Sequence, residues 1–292
     1  MMKKTSRIGR GWRLTKDSWA ILKADRSLLA FPVVGSIAAT VALVIVAAPG
    51  VGIWAATDSW WTALPFAAVA LYLATFITIY MGVGLAAATA QVMDGQQATL
   101  RSGLAVARRH TGAIAKWALV QATVGLIINA LQQMAESENG LLRIIGLIFT
   151  ALVSIAWTLA SFFVIPLLAF ENLGPGAALK RSVAIIRERW GEGVVGSAAI
   201  GGIVFLLGIL PGIALVVLGV VAGGIGGIVL AVVGGLVIVV AAVVGNTLSQ
   251  VFRVALYRFA TGGPAAPGFD PDDLEHAFRP KKRGRGSAPQ TA

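Results

Sequence analysis

Apolar residues do not alternate with polar ones along most of this chain; they run in long uninterrupted blocks. Six blocks are each long enough for a bilayer-crossing helix, which needs about 20 mostly apolar residues. They span roughly 28–56, 63–92, 113–134, 141–170, 194–218 and 224–250. The last two are hard to divide, because residues 194–252 carry no charge at all. The glycine cluster Gly219–Gly227 is the natural break. The pattern predicts an all-α polytopic membrane protein, with a basic segment at 1–27, a six-span domain at 28–261 and a basic tail at 262–292.

Polar segments between the blocks alternate in charge. Lys and Arg gather before the first span, after the second, after the fourth and after the sixth, and these places hold 23 of the 24. The remaining one, Arg143, lies on the other side with Asp58, Glu136 and Glu138. The excess of cations in cytoplasmic loops then places both termini in the cytoplasm. An odd number of spans would carry one basic terminus across, so six is preferred to five or seven. The long basic stretch before the first span, and Pro49 just after the small-residue site Val46-Ala47-Ala48, predict that the first span stays as an anchor rather than being cleaved.

Three of the basic segments share a pattern. They read Lys16-Asp-Ser-Trp19-Ala-Ile-Leu-Lys23, Arg101-Ser-Gly-Leu104-Ala-Val-Ala-Arg108 and Lys180-Arg-Ser-Val183-Ala-Ile-Ile-Arg187. Each has a basic first residue, a small third, Ala fifth, Ile or Val sixth and a basic eighth. Residues i and i+7 share a helix face, so the paired cations align. Trp12, Trp19 and Leu22 are assigned to an apolar face in the first copy, Leu100, Leu104 and Ala107 in the second, and Leu179, Val183, Ile186 and Trp190 in the third. Such helices suit a membrane interface. Each repeat is then one interfacial helix plus two spans. Two spans return the chain to its starting side, so the three repeats are parallel, around a pseudo-threefold axis along the membrane normal. The bland alternative is that basic and apolar loops all look alike.

The even spans add an echo. The second ends at Asp94 and the fourth at Glu171, whereas the sixth has Gln250 and Arg253 there. A carboxylate at a helix C-terminus is opposed by the dipole. Both acids therefore need a basic partner, expected among the collar cations. Inside the spans the polar residues are few: Gln121, Asn129, Gln132 and Gln133 in the third, Asn246 and Gln250 in the sixth. No charged residue falls at mid-membrane depth, which argues against a proton relay. Asn and Gln there commonly bond neighbouring helices. Pro32, Pro166 and Pro211 lie inside spans, where Pro frees backbone carbonyls and can mark a hinge or a broken helix. Membrane helices also simply tolerate it, and that is the preferred reading. The Gly-x-x-x-Gly spacings at 208, 212, 219, 223 and 227 fit close helix packing, but with 35 glycines chance matches are expected.

The net charge of +11 has two readings, nucleic acid and anionic lipid. Its placement beside the spans favours lipid headgroups, with no nucleic acid as partner. Lys16, Lys23, Arg101, Arg108, Lys180 and Arg187 are the headgroup candidates. The chain has no cysteine, and His110 and His276 are too far apart in sequence to make a metal site alone. No nucleophile-elbow, zincin or phosphate-loop motif occurs. No catalytic residue, metal or cofactor is expected. In the tail, Gly262–Gly268 reads as a linker, 270–278 as one or two helical turns, and 279–285 as a polybasic end that should hug anionic lipid.

Gly11-Trp12-Arg13-Leu14 through Leu29-Ala-Phe31-Pro32, Pro166-Leu-Leu-Ala-Phe-Glu171 with Ala178-Leu-Lys-Arg-Ser182, and Phe269-Asp-Pro-Asp-Asp-Leu274 with Ala277–Pro280 carry a resemblance. Together they resemble an uncharacterised bacterial family of six-span membrane proteins. The third repeat is also similar to the membrane region beside some glycerophosphodiester phosphodiesterases, whose catalytic domain is absent here. The resemblance implies an inner-membrane protein and supplies no activity. Mitochondrial carriers share the count of three two-span repeats but not the motif. The leading expectation is a non-enzymatic component that organises lipid or a partner protein. The alternative is a small-solute transporter or channel, which a polar path past Asn129, Asn246 and Gln250 would favour.

Overall fold

Where the chain is apolar enough to cross a bilayer it is helical, because a helix satisfies every backbone N–H and C=O within its own segment. The computed structural model describes residues 7–134, 140–189, 195–263 and 269. Glu136, Glu138, Trp190, His276 and the tail beyond Phe269 lie outside them. Among the described residues there are eleven α-helices and no strand. Six helical segments are long and apolar enough to span a membrane, at Arg26–Thr57, Trp60–Met93, Thr111–Gln133, Arg143–Phe170, Ile200–Ala222 and Gly224–Ala260.

Helix α1 (Arg7–Ala24) precedes the first span, α2 (Ala30–Thr57). A 3-10 turn at Trp60–Ala63 leads into the second span, α3 (Leu64–Met93), and Thr99 caps the short α4 (Leu100–Arg109). The third span is α5 (Thr111–Met134). The fourth is broken: α6 (Gly140–Ala160), a turn at 161–163, then α7 (Val164–Phe170). Helix α8 (Pro175–Arg189) follows. The fifth span joins α9 (Val195–Val204), a π segment at Phe205–Ile209 and α10 (Leu210–Ala222). The sixth is α11 (Gly224–Ala260).

Both irregularities sit beside a proline. Pro166 cannot donate to the carbonyl of Phe162, and Pro211 cannot donate to that of Leu207. The turn precedes the first and the π segment the second. Pro32 lies in the first turn of α2, where a missing N–H costs nothing. The break between the fifth and sixth spans falls at Gly223 and Gly224, both with positive φ (64° and 60°), inside the predicted glycine cluster.

The even spans form the inside. α3, α7 and α11 touch one another, while α2 lies against α3 and α11, α5 against α3 and α6, and α10 against α11. The short helices close one end, each on the even span of a different hairpin. α1 packs on α9 and α11, α4 on α3, and α8 on α7 and α6. The densest burial is at this basic end: Val83–Thr89 of α3, Val164 and Pro166–Ala169 of α7, and Val251, Phe252 and Val254–Tyr257 of α11. Phe269 joins the same core.

α11 has 37 residues, about 55 Å, against a hydrocarbon thickness of about 30 Å. It therefore runs ten residues past the expected end at 250. This changes the alignment of the even spans. Asp94, Glu171 and Thr261 are the three C-cap residues, so Thr261 occupies the acid's place, not Gln250 or Arg253.

Small residues set the hairpin distances. A Cβ on Gly219 would lie 2.5 Å from the carbonyl oxygen of Gly227, and one on Gly234 2.7 Å from that of Gly212. The α10–α11 contact is therefore backbone on backbone: Gly208, Gly212, Gly219 and Gly227 of the predicted spacings are close-packed, whereas Gly223, shared by two of them, lies in the turn and meets nothing.

Candidate functional site

The three short helices form a collar at one end, and the corresponding positions share burial but not neighbours. The small third residues, Ser18, Gly103 and Ser182, are all buried. The flanking cations Lys16, Lys23, Arg101, Arg108, Lys180 and Arg187 are all exposed. None of the six side chains makes a hydrogen bond or ion pair with a described residue. The third residue has different contacts in each copy. A Cβ on Gly103 would lie 2.5 Å from the Gly84 carbonyl oxygen and from Phe31 Cζ. Ser182 Oγ accepts from the Phe163 N–H at 3.2 Å, satisfying a donor at the break before α7. Ser18 Oγ donates back to the Leu14 carbonyl at 2.9 Å.

The apolar faces differ from expectation in the first copy. Leu14, Ile21 and Leu22 face the core, whereas Trp12 and Trp19 are 52% and 40% exposed. Leu100, Leu104, Leu179, Val183 and Ile186 are partly buried, and Ala107 is fully buried.

A polar clasp fastens α1 to the segment before α4. Asp25 accepts from the N–H groups of Ser27 (2.9 Å) and Ala98 (3.0 Å), and Ser27 Oγ donates to the Ala98 carbonyl at 2.9 Å. Burial opposes ionisation of Asp25, but these hydrogen bonds outweigh it and hold its carboxyl below the usual range. A capping box between Thr99 and Ser102 starts α4, and Ser102 Oγ donates to Gln91 Oε1 at 2.8 Å.

The acids at the ends of the even spans have partners, not all in the collar. Glu171 lies 3.7 Å from Arg181 of α8 and accepts from the Tyr257 hydroxyl at 2.7 Å. Asp94 pairs with Arg258 at 2.5 Å. Two of these three contacts come from the end of α11 beyond residue 250. The sixth span thus ties the other two even spans together. Sequence reading missed this because it ended the span too soon. His110 Nδ1 contacts Asn172 Oδ1 at 3.1 Å, a further link at the same end.

The intramembrane polar residues do not converge. Asn129 is exposed on α5 and accepts from Gln133 Nε2 at 2.6 Å. Asn246 is exposed in a crevice of about 580 Å³ between α2 and α11, beside Ser36 and Thr40. Gln250 is buried, with its amide nitrogen near Gly82. Gln121 accepts from Trp157 Nε1 at 2.7 Å, joining α5 to α6. Among the described residues Thr89 Oγ1, Gln250 Oε1 and Arg253 Nε are buried without a hydrogen-bond partner. The Arg253 guanidinium sits 5.0 Å from the Phe162 ring centre, a cation–π contact that partly compensates its burial. No group of three or more His, Cys, Asp or Glu side chains is placed to hold a metal among the described residues.

The chain belongs to a family of unknown function, DUF6159, whose family model matches residues 64–267. The match takes in every span but the first, and two of the three collar helices. No curated protein and no solved structure matches the chain.

Proposed function

We propose that this member of a family without an assigned activity is a non-enzymatic, multi-pass component of the bacterial inner membrane that organises anionic lipid through its collar. Both termini are cytoplasmic, as the distribution of Lys and Arg implies. The chain is read as three parallel repeats, each an interfacial helix and two spans, related by a pseudo-threefold axis. Support for that comes from the matching burial of Ser18, Gly103 and Ser182 and from the way each short helix packs on an even span.

The observation that carries the lipid reading is the state of the six collar cations. They are exposed, and no described carboxylate neutralises them, although acids at the same end are paired elsewhere. A cation beside an anionic leaflet gains about 1 kcal/mol. Three pairs spread around a closed core present that charge on several sides at once. Asn129 and Asn246 are exposed whereas Gln250 is buried, which gives transport along an axis less support than the collar gives the lipid reading.

Reconstitution into nanodiscs of mixed lipid, followed by mass spectrometry of the lipids retained on purification, tests the reading. Anionic lipid should be enriched over its input fraction. That enrichment should fall when Lys16→Gln, Arg101→Gln and Lys180→Gln are combined. Retention in proportion to input, or enrichment that survives the triple substitution, would overturn it.

A further inference from the structure

Between α1, the fifth span and the sixth span lies an open groove of about 710 Å³. Its floor is apolar: Val204 and Leu207 from the fifth span, and Leu236, Val240 and Leu248 from α11. At the collar side its wall is α1, which contributes Trp12, Thr15, Lys16 and Trp19. We infer that this groove seats one acyl chain of an anionic phospholipid, with the lipid phosphate at the Lys16 ammonium; the inference rests on the lipid reading above and assigns it a place.

Three features select this occupant. The first is length. The groove follows α11 from Val233 to Leu248, about 22 Å of helix. One leaflet of hydrocarbon is about 15 Å deep. An acyl chain entering from the basic side is therefore accommodated over its whole depth. The second is chemistry. Apart from Thr15 and Lys16 the side chains lining the groove are apolar or tryptophan, which suits a hydrocarbon and leaves a polar solute nothing to bond. The third is the position of charge. Lys16 is exposed, has no described partner and stands between two tryptophans that are themselves exposed. Trp and Lys together favour headgroup depth. Two smaller hollows differ: among the described residues the crevice beside Asn246 carries no collar cation, and the hollow beside Lys180 and Arg187 is lined by α8.

The full chain in vesicles containing phosphatidylglycerol with a photoreactive acyl chain provides the test, with the labelled peptides mapped by mass spectrometry. Label should concentrate on 203–208 and 233–248. Val240→Trp fills the groove from a position that is 60% exposed, so it leaves the fold intact and should remove most of that label. Lys16→Gln should lower labelling about fivefold relative to a phosphatidylcholine analogue, the equivalent of one headgroup contact of about 1 kcal/mol. Label spread evenly over other exposed apolar faces, such as Leu147 and Leu152 on α6, would overturn the groove. So would unchanged labelling in Val240→Trp. Either result, obtained while nanodiscs still enrich anionic lipid, removes the groove and leaves the collar reading standing. Absence of enrichment in the unmodified chain removes both.

Discussion

The basic end and the opposite half of this protein are built from similar residues and held together differently. At the basic end, Val83, Ala86, Ala88, Leu167, Leu168, Phe252 and Val254 are fully or almost fully buried. In the other half, Val220, Val221, Ile225 and Ile228 are 65–84% exposed. The buried end has hydrogen bonds and ion pairs crossing between elements: Asp25 to Ala98, Ser182 to Phe163, Tyr257 to Glu171, Arg258 to Asp94. The far half relies on close backbone contact at Gly219, Gly227, Gly212 and Gly234. The difference follows from the solvent. Lipid tails are as apolar as leucine, so burying a valine within the bilayer gains little and helices associate by close contact. Where the structure reaches water and headgroups, hydrophobic burial and polar pairing both become available.

The largest expected effect is in the buried end. Phe31 is fully buried against Gly84 and Gly103. Phe31→Ala should cost about 3–5 kcal/mol through lost contacts and the cavity left behind. Ile148→Ala, at a site 57% exposed, should change little. Thermal unfolding in one detergent compares the two, and equal losses would break the distinction between the halves. Next comes Gly219→Leu, which pushes a side chain into the backbone of α11 and should cost about 1–3 kcal/mol. Spin labels on α10 and α11 should move apart in that variant, while distances within the collar stay fixed.

Tyr257→Phe removes one hydrogen bond to a carboxylate in a half-buried place. A loss of about 1.5 kcal/mol is expected, at the lower end for charged hydrogen bonds. Its partner Glu171→Gln keeps an acceptor and should cost less, so a larger loss in Glu171→Gln would show that the Arg181 pairing matters more than the hydroxyl. The smallest effect is a pH dependence. The folded-state pKa of Asp25 lies below its ordinary value of 3.8. Its contribution is therefore fully present above that value and is lost as pH falls through the lower, folded one. Asp25→Asn should be less stable than the unmodified chain near neutral pH and should converge on it in strong acid. A constant gap down to the lowest pH would mean that the Asn side chain, not the lost charge, is responsible.

Several parts of this architecture were legible in the chain. Six spans, the break at Gly223 and the one-sided gathering of cations all follow from runs of apolar residues and what interrupts them. The small third residue of each collar copy was visible as a pattern, although its three different tasks were not. The break in the fourth span had only Pro166 to announce it. The partner of Asp94 was not legible, because Arg258 is 164 residues away and lies on a span whose apolar run ends ten residues earlier.

By itself the sequence determined that the chain is helical, how many segments can cross a membrane and which end is basic. These depend on length, composition and the cost of unsatisfied backbone in lipid, all properties of a segment taken alone. Only the tertiary structure decided which faces are buried, which acids meet which cations and where a groove is left open. In a soluble helix the buried face is written as a polar and an apolar side. Here Val254 is enclosed and Val240 faces outward, yet the two residues are the same. A bilayer accepts either, so only the neighbouring helices distinguish them.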